Sequence, residues 1–317
     1  GRVLMRHNAG EADFSPVHDP VLCAEIVALA RETRIDRGGI FVDATLGEGG
    51  HSALILASFP AARVIGIERD PEILARARER LHGAAGRIEF INDNFANIAG
   101  ALGAHRGKIA AVLYDFGISS FHYDASGRGF SFRDHEPLDM RLDGARGESA
   151  ADIVNARPER ELADIFRVYG EERWAKKIAR RIVERREDGR IETSLALAEL
   201  VLGAIPRRFH VKNIHPATRV FQALRIIVND ELSAIERSLA DALDLIEPGG
   251  RIIAISFHSL EDRIVKTMFR ARAKVPYGEE PSFRLITKKP IVPGDDEVAR
   301  NRRARSAKLR CIERLAS

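Results

Sequence analysis

The chain has 317 residues, 45% of them hydrophobic and 30% charged, so it can bury a substantial core and lacks the composition of a disordered protein. Its formal net charge of +4, carried mainly by arginine, suits a partner bearing phosphates but does not define one. Only Cys23 and Cys311 are present, in no C-x-x-C pair, which excludes a disulfide framework and a cysteine-rich zinc site and leads us to expect a reducing cytoplasm. No apolar run reaches the roughly 18 residues of a membrane span, and the opening residues lack a signal-peptide core, so neither membrane insertion nor secretion is expected. Gly1 stands where an initiator Met would be and Met5 reads as a natural start, so residues 1 to about 14 are set aside from the fold.

Short apolar runs rich in Val, Ile and Phe alternate with helical patterns through the first third of the chain. Residues 40–45, 63–68, 88–92 and 109–115 read as buried strands, with helices starting near Ser52, Pro71 and Asn94. That alternation predicts an α/β protein with a parallel sheet covered on both faces. After Asp115 the rhythm stops, and the next comparable strand is at 251–257.

Between those strands the sequence reads as a helical insertion. Residues 126–147, rich in Gly, Arg and Asp, form a long loop, and residues from about 149 to 202 carry three helical patterns. A helix near 218–245, stopped by Pro248-Gly249-Gly250, belongs to the core again. Residues 282–287 and 308–313 are two more strand candidates, and the polar stretch 293–305, with Arg300, Arg302, Arg303 and Arg305, reads as a loop. The expected domains are therefore a discontinuous core at 15–125 and 220–317, with an inserted helical domain at 126–219.

The first strand runs into Gly47-Glu48-Gly49-Gly50-His51-Ser52, where glycines let the backbone turn tightly into a helix and approach a ligand. Glu68 ends the next strand, about 20 residues on, where a carboxylate can accept hydrogen bonds from ribose hydroxyls. Ser52 stands where a dinucleotide fingerprint wants its third Gly or Ala, which disfavours a nicotinamide cofactor. Asp70-Pro71 reads as a helix cap, and His51 either packs against a ligand or satisfies a loop carbonyl.

Further on, Asp115-Phe116-Gly117-Ile118-Ser119-Ser120, Arg128-Gly129-Phe130-Ser131-Phe132, Pro137-Leu138-Asp139-Met140-Arg141, His215-Pro216-Ala217-Thr218-Arg219 and Ser256-Phe257-His258-Ser259-Leu260-Glu261-Asp262-Arg263 follow the glycine turn in order. Together these stretches, from about His18 to Glu313, resemble the RsmH (MraW) family of ribosomal RNA cytosine-N4 methyltransferases. The resemblance implies a class I (Rossmann-like) methyltransferase core interrupted after its fourth strand by a helical domain, with S-adenosylmethionine as cofactor. It implies as partner 16S ribosomal RNA or the small ribosomal subunit, methylated on a cytidine of the decoding region. Gly49, Gly50, His51, Glu68, Phe95 and Asp115 match the family's cofactor contacts, and Asp115 is also the candidate catalytic residue. Tyr114 and Phe116 depart from the family's usual Leu, and His122 stands where Gln is common; His122 is kept as a cofactor contact because it can still donate a hydrogen bond. No metal is required by this chemistry.

Residues 173–186 form a basic helix in which Trp174, Ile178 and Ile182 make an apolar stripe. Its other face is either a phosphate-binding surface or a solvated one, with Arg180, Arg181, Arg185 and Arg186 as candidate contacts and Trp174 as a core residue. His215-Pro216 either lines a cleft or is a turn before a helix, and His258-Ser259 reads as a helix cap, since no G-x-S-x-G elbow surrounds a serine. The rival readings are a methyltransferase acting on DNA or protein, and a non-enzymatic RNA-binding or ribosome-assembly protein on a vestigial methyltransferase fold.

Overall fold

A computed structural model of the chain describes residues 20–132, 135–144, 147–212, 214–275 and 278–316. The expected domain start at residue 15 and the beginning of the resemblance at His18 lie outside these residues. The chain divides into two compact units, one formed by Gly1–Gly117 with Ala234–Ser317 and the other by Ile118–Ser233.

The first unit opens with α1 (Cys23–Arg31) and then alternates β1 (Ile40–Asp43), α2 (Gly50–Ser58), β2 (Arg63–Ile67), α3 (Pro71–Arg80), β3 (Ile88–Ile91), α4 (Ile98–Leu102) and β4 (Ile109–Asp115). Helix α3 shows why the sequence turns here. The Asp70 carboxylate accepts from the Glu72 amide, Pro71 sits where no amide is needed, and Ile73, Leu74 and Ala77 bury one face. All of β4 except its last residue is buried, as a central strand requires.

The second unit holds α5 (Ser120–Asp124), α6 (Ala150–Ala156), α7 (Glu159–Gly170), α8 (Ala175–Glu187), α9 (Ser194–Ala204) and α10 (Thr218–Asn229). The chain continues through α11 (Glu231–Leu245), β5 (Ile246–Ser256), α12 (Ser259–Ala273), β6 (Phe283–Leu285), α13 (Asp295–Arg300) and β7 (Lys308–Arg314). The sheet order is β3-β2-β1-β4-β5-β7-β6, with β7 antiparallel to both of its neighbours and the other described pairings parallel. This is the class I, Rossmann-like methyltransferase topology that the resemblance implies.

Several local expectations change. Four helices, α6 to α9, occupy the stretch that reads as three, because Pro158 starts α7 directly after α6 ends. The long helix expected at 218–245 is two helices, since Asp230 takes the left-handed conformation at φ 50°. The first of them, α10, packs in the second unit, so the chain returns to the first unit at Ala234 rather than near 220. The stretch at 293–305, expected to be a loop, contains α13, whose first turn carries Asp295, Asp296 and Glu297 at the positive end of the helix dipole.

The second unit has its own apolar core, drawn from Leu162 and Phe166 of α7, Ile178 and Ile182 of α8, Leu197 and Val201 of α9, and Val220 and Leu224 of α10. Gly170, at the end of α7, lets the backbones close: a Cβ there would lie 2.6 Å from the Arg219 carbonyl oxygen. The Gly- and Arg-rich loop before α6 is anchored in this core by Phe130, Leu138 and Met140. Buried Asn229 clamps it further, donating to the Met140 carbonyl at 2.8 Å and accepting from the Leu142 amide at 2.9 Å.

Candidate active site

In an open parallel sheet, ligands sit outside the carboxyl ends of the strands where the strand order reverses, here between β1 and β4. The turn after β1 reaches α2 through Gly49, which caps the helix at φ 82°. A Cβ on Gly49 would meet Leu81 Cδ1 at 2.7 Å. The left-handed backbone favours glycine here, and the end of the Leu81 side chain would have to shift for any Cβ. Gly50 opens α2 with Pro20 close to it, a Cβ there lying 3.1 Å from the Pro20 Cγ.

Glu68 follows β2. Its Oε2 accepts from the Gly47 amide at 3.0 Å and its Oε1 from the Asp70 amide at 2.8 Å, so the carboxylate is held rigidly while each oxygen keeps a further lone pair. Burial raises its pKa to about 7, against the pull of those two amides.

Asp43, His51 and Asp115 form a second group. Asp43 is buried at the end of β1; its Oδ2 accepts from Ser52 Oγ at 2.7 Å, and its Oδ1 has no hydrogen-bond partner among the described residues. Burial raises its pKa, with His51 and Ser52 opposing the shift. The His51 ring lies 2.9 Å from the Val21 carbonyl oxygen through Nε2. A carbonyl can only accept, so Nε2 carries a hydrogen, and Nδ1 is left facing Asp115 Oδ2 at 3.7 Å. Asp115 is fixed from both sides, its amide donating to Thr45 Oγ1 at 2.7 Å and its Oδ1 accepting from the Gly117 amide at 3.1 Å. Burial raises the Asp115 pKa to about 6 despite His51 and Gly117, with the negative charges of Asp43 and Glu261 adding to the rise.

Phe95 lies just beyond β3, half-buried, with its ring edge-on to Tyr114 at 6.0 Å and near Phe116 at 6.1 Å. Tyr114 and Phe116, the two departures from the family pattern, are thus the packing support of Phe95. The fully buried Tyr114 hydroxyl finds Ser238 Oγ at 2.7 Å, and Ser238 Oγ in turn donates to the Phe95 carbonyl at 2.8 Å. Ser238 has no sequence signal of its own; the signal is a Tyr in a buried strand, whose hydroxyl must find a partner.

Gly49, Gly50, His51, Glu68, Phe95 and Asp115 thus follow the ends of adjacent strands β1 to β4 in one unit. His122 belongs to the other unit, on α5, where its buried ring packs against Phe130 at 5.1 Å. The motif at 256–263 is chiefly structural. His258 caps α12 in a capping box with Glu261, and Asp262 makes a buried two-point pair with Arg310 of β7, at 2.7 and 3.1 Å. His215 serves the turn before α10, its Nδ1 accepting from the Ala217 amide at 3.1 Å, while its ring stacks on Phe132 at 4.4 Å.

The basic helix divides along its length. Arg180 pairs with Glu159 at 3.8 Å, Arg181 with Glu184 at 3.6 Å, and Arg185 donates to the Gly189 carbonyl at 3.1 Å. Arg186 is structural, donating to the carbonyls of Val154 and Arg157 at 2.9 and 2.7 Å. A cavity of about 480 Å³ in the same unit has the acidic rim residues Glu148, Glu161 and Asp164 and holds none of the expected site residues.

The first unit's sheet end suits adenosylmethionine. Glu68 offers acceptors to a ribose diol, Phe95 offers an aromatic surface to adenine, and Asp43 and Asp115 supply negative charge for a sulfonium and an ammonium group. Fold and site together define the class: an S-adenosylmethionine-dependent methyltransferase of the Rossmann-like kind. The sequence profile described as the MraW methylase family matches residues 15–315, and the chain belongs to that family. The ribosomal RNA small subunit methyltransferase H of Geobacter sp. (strain M21) is 51% identical over 291 residues, covering 88% of this chain and 93% of the relative. Its counterparts in Geobacter sulfurreducens and Leptospira interrogans (serovar copenhageni) are 49% and 48% identical, covering 94% and 96% of this chain and 99% and 91% of their own lengths.

Proposed function

We propose that this chain transfers the methyl group of S-adenosylmethionine to the N4 amine of a cytidine in the decoding region of 16S ribosomal RNA, and that it does so in the cytoplasm. What carries the reading is the sheet end, where Glu68, Asp43 and Asp115 follow adjacent strands in a chain matched by the family over nearly its whole length. The names of the relatives supply the substrate. No helix among the described residues is long and apolar enough to cross a membrane, in keeping with a ribosomal substrate.

Bound adenosylmethionine supplies an electrophilic methyl group on a positively charged sulfur. The cytosine amine is a weak nucleophile because its lone pair is delocalised into the ring, so the chain's task is to orient and polarise it. Asp115 takes that role: its Oδ2 accepts a hydrogen bond from the amine, and its Oδ1 is held by Gly117. His51 is a positioning residue, with Nε2 fixed on Val21 and Nδ1 turned to Asp115, where it opposes the rise that burial gives that carboxyl group. An amine that accepts the methyl group becomes cationic, and it would give up one proton to the Asp115 carboxylate beside it, which passes it to solvent. Glu68 holds the ribose, and Phe95 packs against the adenine. In the second unit the helices grip RNA.

The test is nucleoside mass spectrometry after the purified chain has acted, with methyl-labelled adenosylmethionine, on small subunits lacking the modification. Label in N4-methylcytidine is expected. Label confined to a ring carbon, a ribose hydroxyl or protein would overturn the reading.

A further inference from the structure

Where α8 begins, cations and aromatic rings interleave. Trp174, half-buried, packs its ring against Phe209 at 5.1 Å between centroids. Arg173 lies over both rings, 4.8 Å from the Phe209 centroid and 5.7 Å from that of Trp174. Lys177 caps Trp174 at 5.9 Å, and Arg208 caps Phe209 at 5.0 Å. Arg173, Lys177 and Arg208 are exposed, as are Arg207 and Lys212, and among the described residues no carboxylate pairs with any of the five. Further along α8, by contrast, Arg180 and Arg181 are both paired with glutamates. Val211 and Ile214, 60% and 53% exposed, add apolar surface to the same segment.

We propose that Arg173, Trp174, Lys177, Arg208 and Phe209 form a binding site for single-stranded RNA, in which an unpaired base stacks on the guanidinium and aromatic planes and the cations hold the flanking phosphates. The proposal rests on the reading of the chain as an RNA methyltransferase and adds a site apart from the residues assigned to the cofactor. Unpaired cations alone would suit any anion. Guanidinium groups already layered on rings present planar faces, which an acidic peptide or a lipid headgroup has no use for and a nucleobase does. The exposed side chains can move aside or extend the stack without disturbing the core, because Ile178 and Ile182 hold α8 in place.

Trp174 is the only tryptophan of the chain, so its emission reports on this site alone. The experiment titrates the full chain with a single-stranded RNA oligonucleotide at several salt concentrations, following Trp174 emission and the anisotropy of labelled RNA. Polyglutamate serves as an anion without bases. RNA is expected to quench Trp174 and polyglutamate to leave it unchanged. Changing Arg173, Lys177 and Arg208 together to Ser should lower the log-log salt slope by roughly 0.7 for each phosphate no longer neutralised, and Phe209→Leu should weaken binding about 5- to 100-fold. Adenosylmethionine affinity and melting temperature of the triple variant should match the wild type. If wild-type chain binds and methylates RNA while Trp174 emission and the salt slope of the triple variant stay unchanged, this site falls and the functional reading stands. Equal quenching by polyglutamate also overturns the site, in favour of an acidic protein partner. If wild-type chain binds no RNA, both fall.

Discussion

The two units use charge in opposite ways. In the first, carboxylates gather at the end of a sheet, largely withdrawn from water, and burial lifts Glu68 to about 7 and Asp115 to about 6, so a ligand that favours their ionised forms displaces protons as it binds. In the second, exposed arginines and lysines line the start of α8, where solvent screens them and counterions occupy them until a polyanion arrives. Buried charge confers selectivity for one small molecule. Exposed charge supplies long-range, salt-sensitive affinity with little selectivity, and the aromatic rings beside it narrow the choice to bases.

Four substitutions or conditions sharpen that contrast, beginning with the largest effect. Asp262 is an acid of the first unit with a structural rather than a ligand-binding role, and Asp262→Ala leaves Arg310 buried without its partner. We expect a loss of about 3–5 kcal/mol by denaturant unfolding. Although burial opposes it, Arg310 holds the Asp262 pKa below the ordinary carboxylate range, so this contribution is complete above the unfolded value, near about 4, and fades as pH falls through the lower folded value. A variant as stable as wild type contradicts the assignment.

Asp115→Asn, and likewise Asp115→Ala, should slow single-turnover methylation by about 100- to 1000-fold with RNA and cofactor saturating. Wild-type rates in both would remove Asp115 from the chemical step. A smaller effect comes from pH alone. In the free protein Glu68 keeps its proton up to about pH 7, and a ribose diol donates best to the ionised form. Adenosylmethionine affinity should therefore rise as pH increases from 6 to 8, with proton release on binding below the upper end, and Glu68→Gln should flatten the profile; the same slope in both proteins refutes the link. Smallest of all, Arg180→Ser with Arg181→Ser should change RNA affinity by less than about 5-fold, since the neighbouring Glu159 and Glu184 offset the local positive potential that a polyanion meets. A loss as large as that of the Arg173, Lys177 and Arg208 triple variant would erase the division along α8.

Much of the first unit is legible in the sequence because its signals are local. Strand runs such as 109–115 are continuous apolar stretches, Asp70-Pro71 is a cap whatever lies around it, and Glu68 sits at a spacing set by one strand and one helix. What escapes depends on partners distant in sequence. Asn229-Asp230, residues that tolerate the left-handed conformation, are a weak stop signal against a hydrophobic period that continues across them, and the sequence assigns α10 to the wrong core because periodicity does not say which core a face meets. The four arginines expected to contact RNA illustrate the same limit. Composition marks α8 as basic, but only Glu159, Glu184 and the carbonyls of Val154 and Arg157 decide which of its cations are already engaged. Trp174 reads as core and is half-buried, because Phe209, which shares its surface, comes from a different segment. Tyr114 and Phe116, which read as departures from a family pattern, support Phe95.

The central claim is that the acidic sheet end of the first unit is the adenosylmethionine site, with Glu68 as its ribose anchor. Isothermal titration of adenosylmethionine into the full chain and into Glu68→Ala at pH 8 tests this most directly. The account predicts one site per chain in the wild type, and affinity weakened about 10- to 100-fold in the variant with the fold unchanged, as expected for the loss of charge-assisted hydrogen bonds worth about 1.5–3 kcal/mol. Equal affinity in the two proteins, or no binding to the wild type, would contradict it.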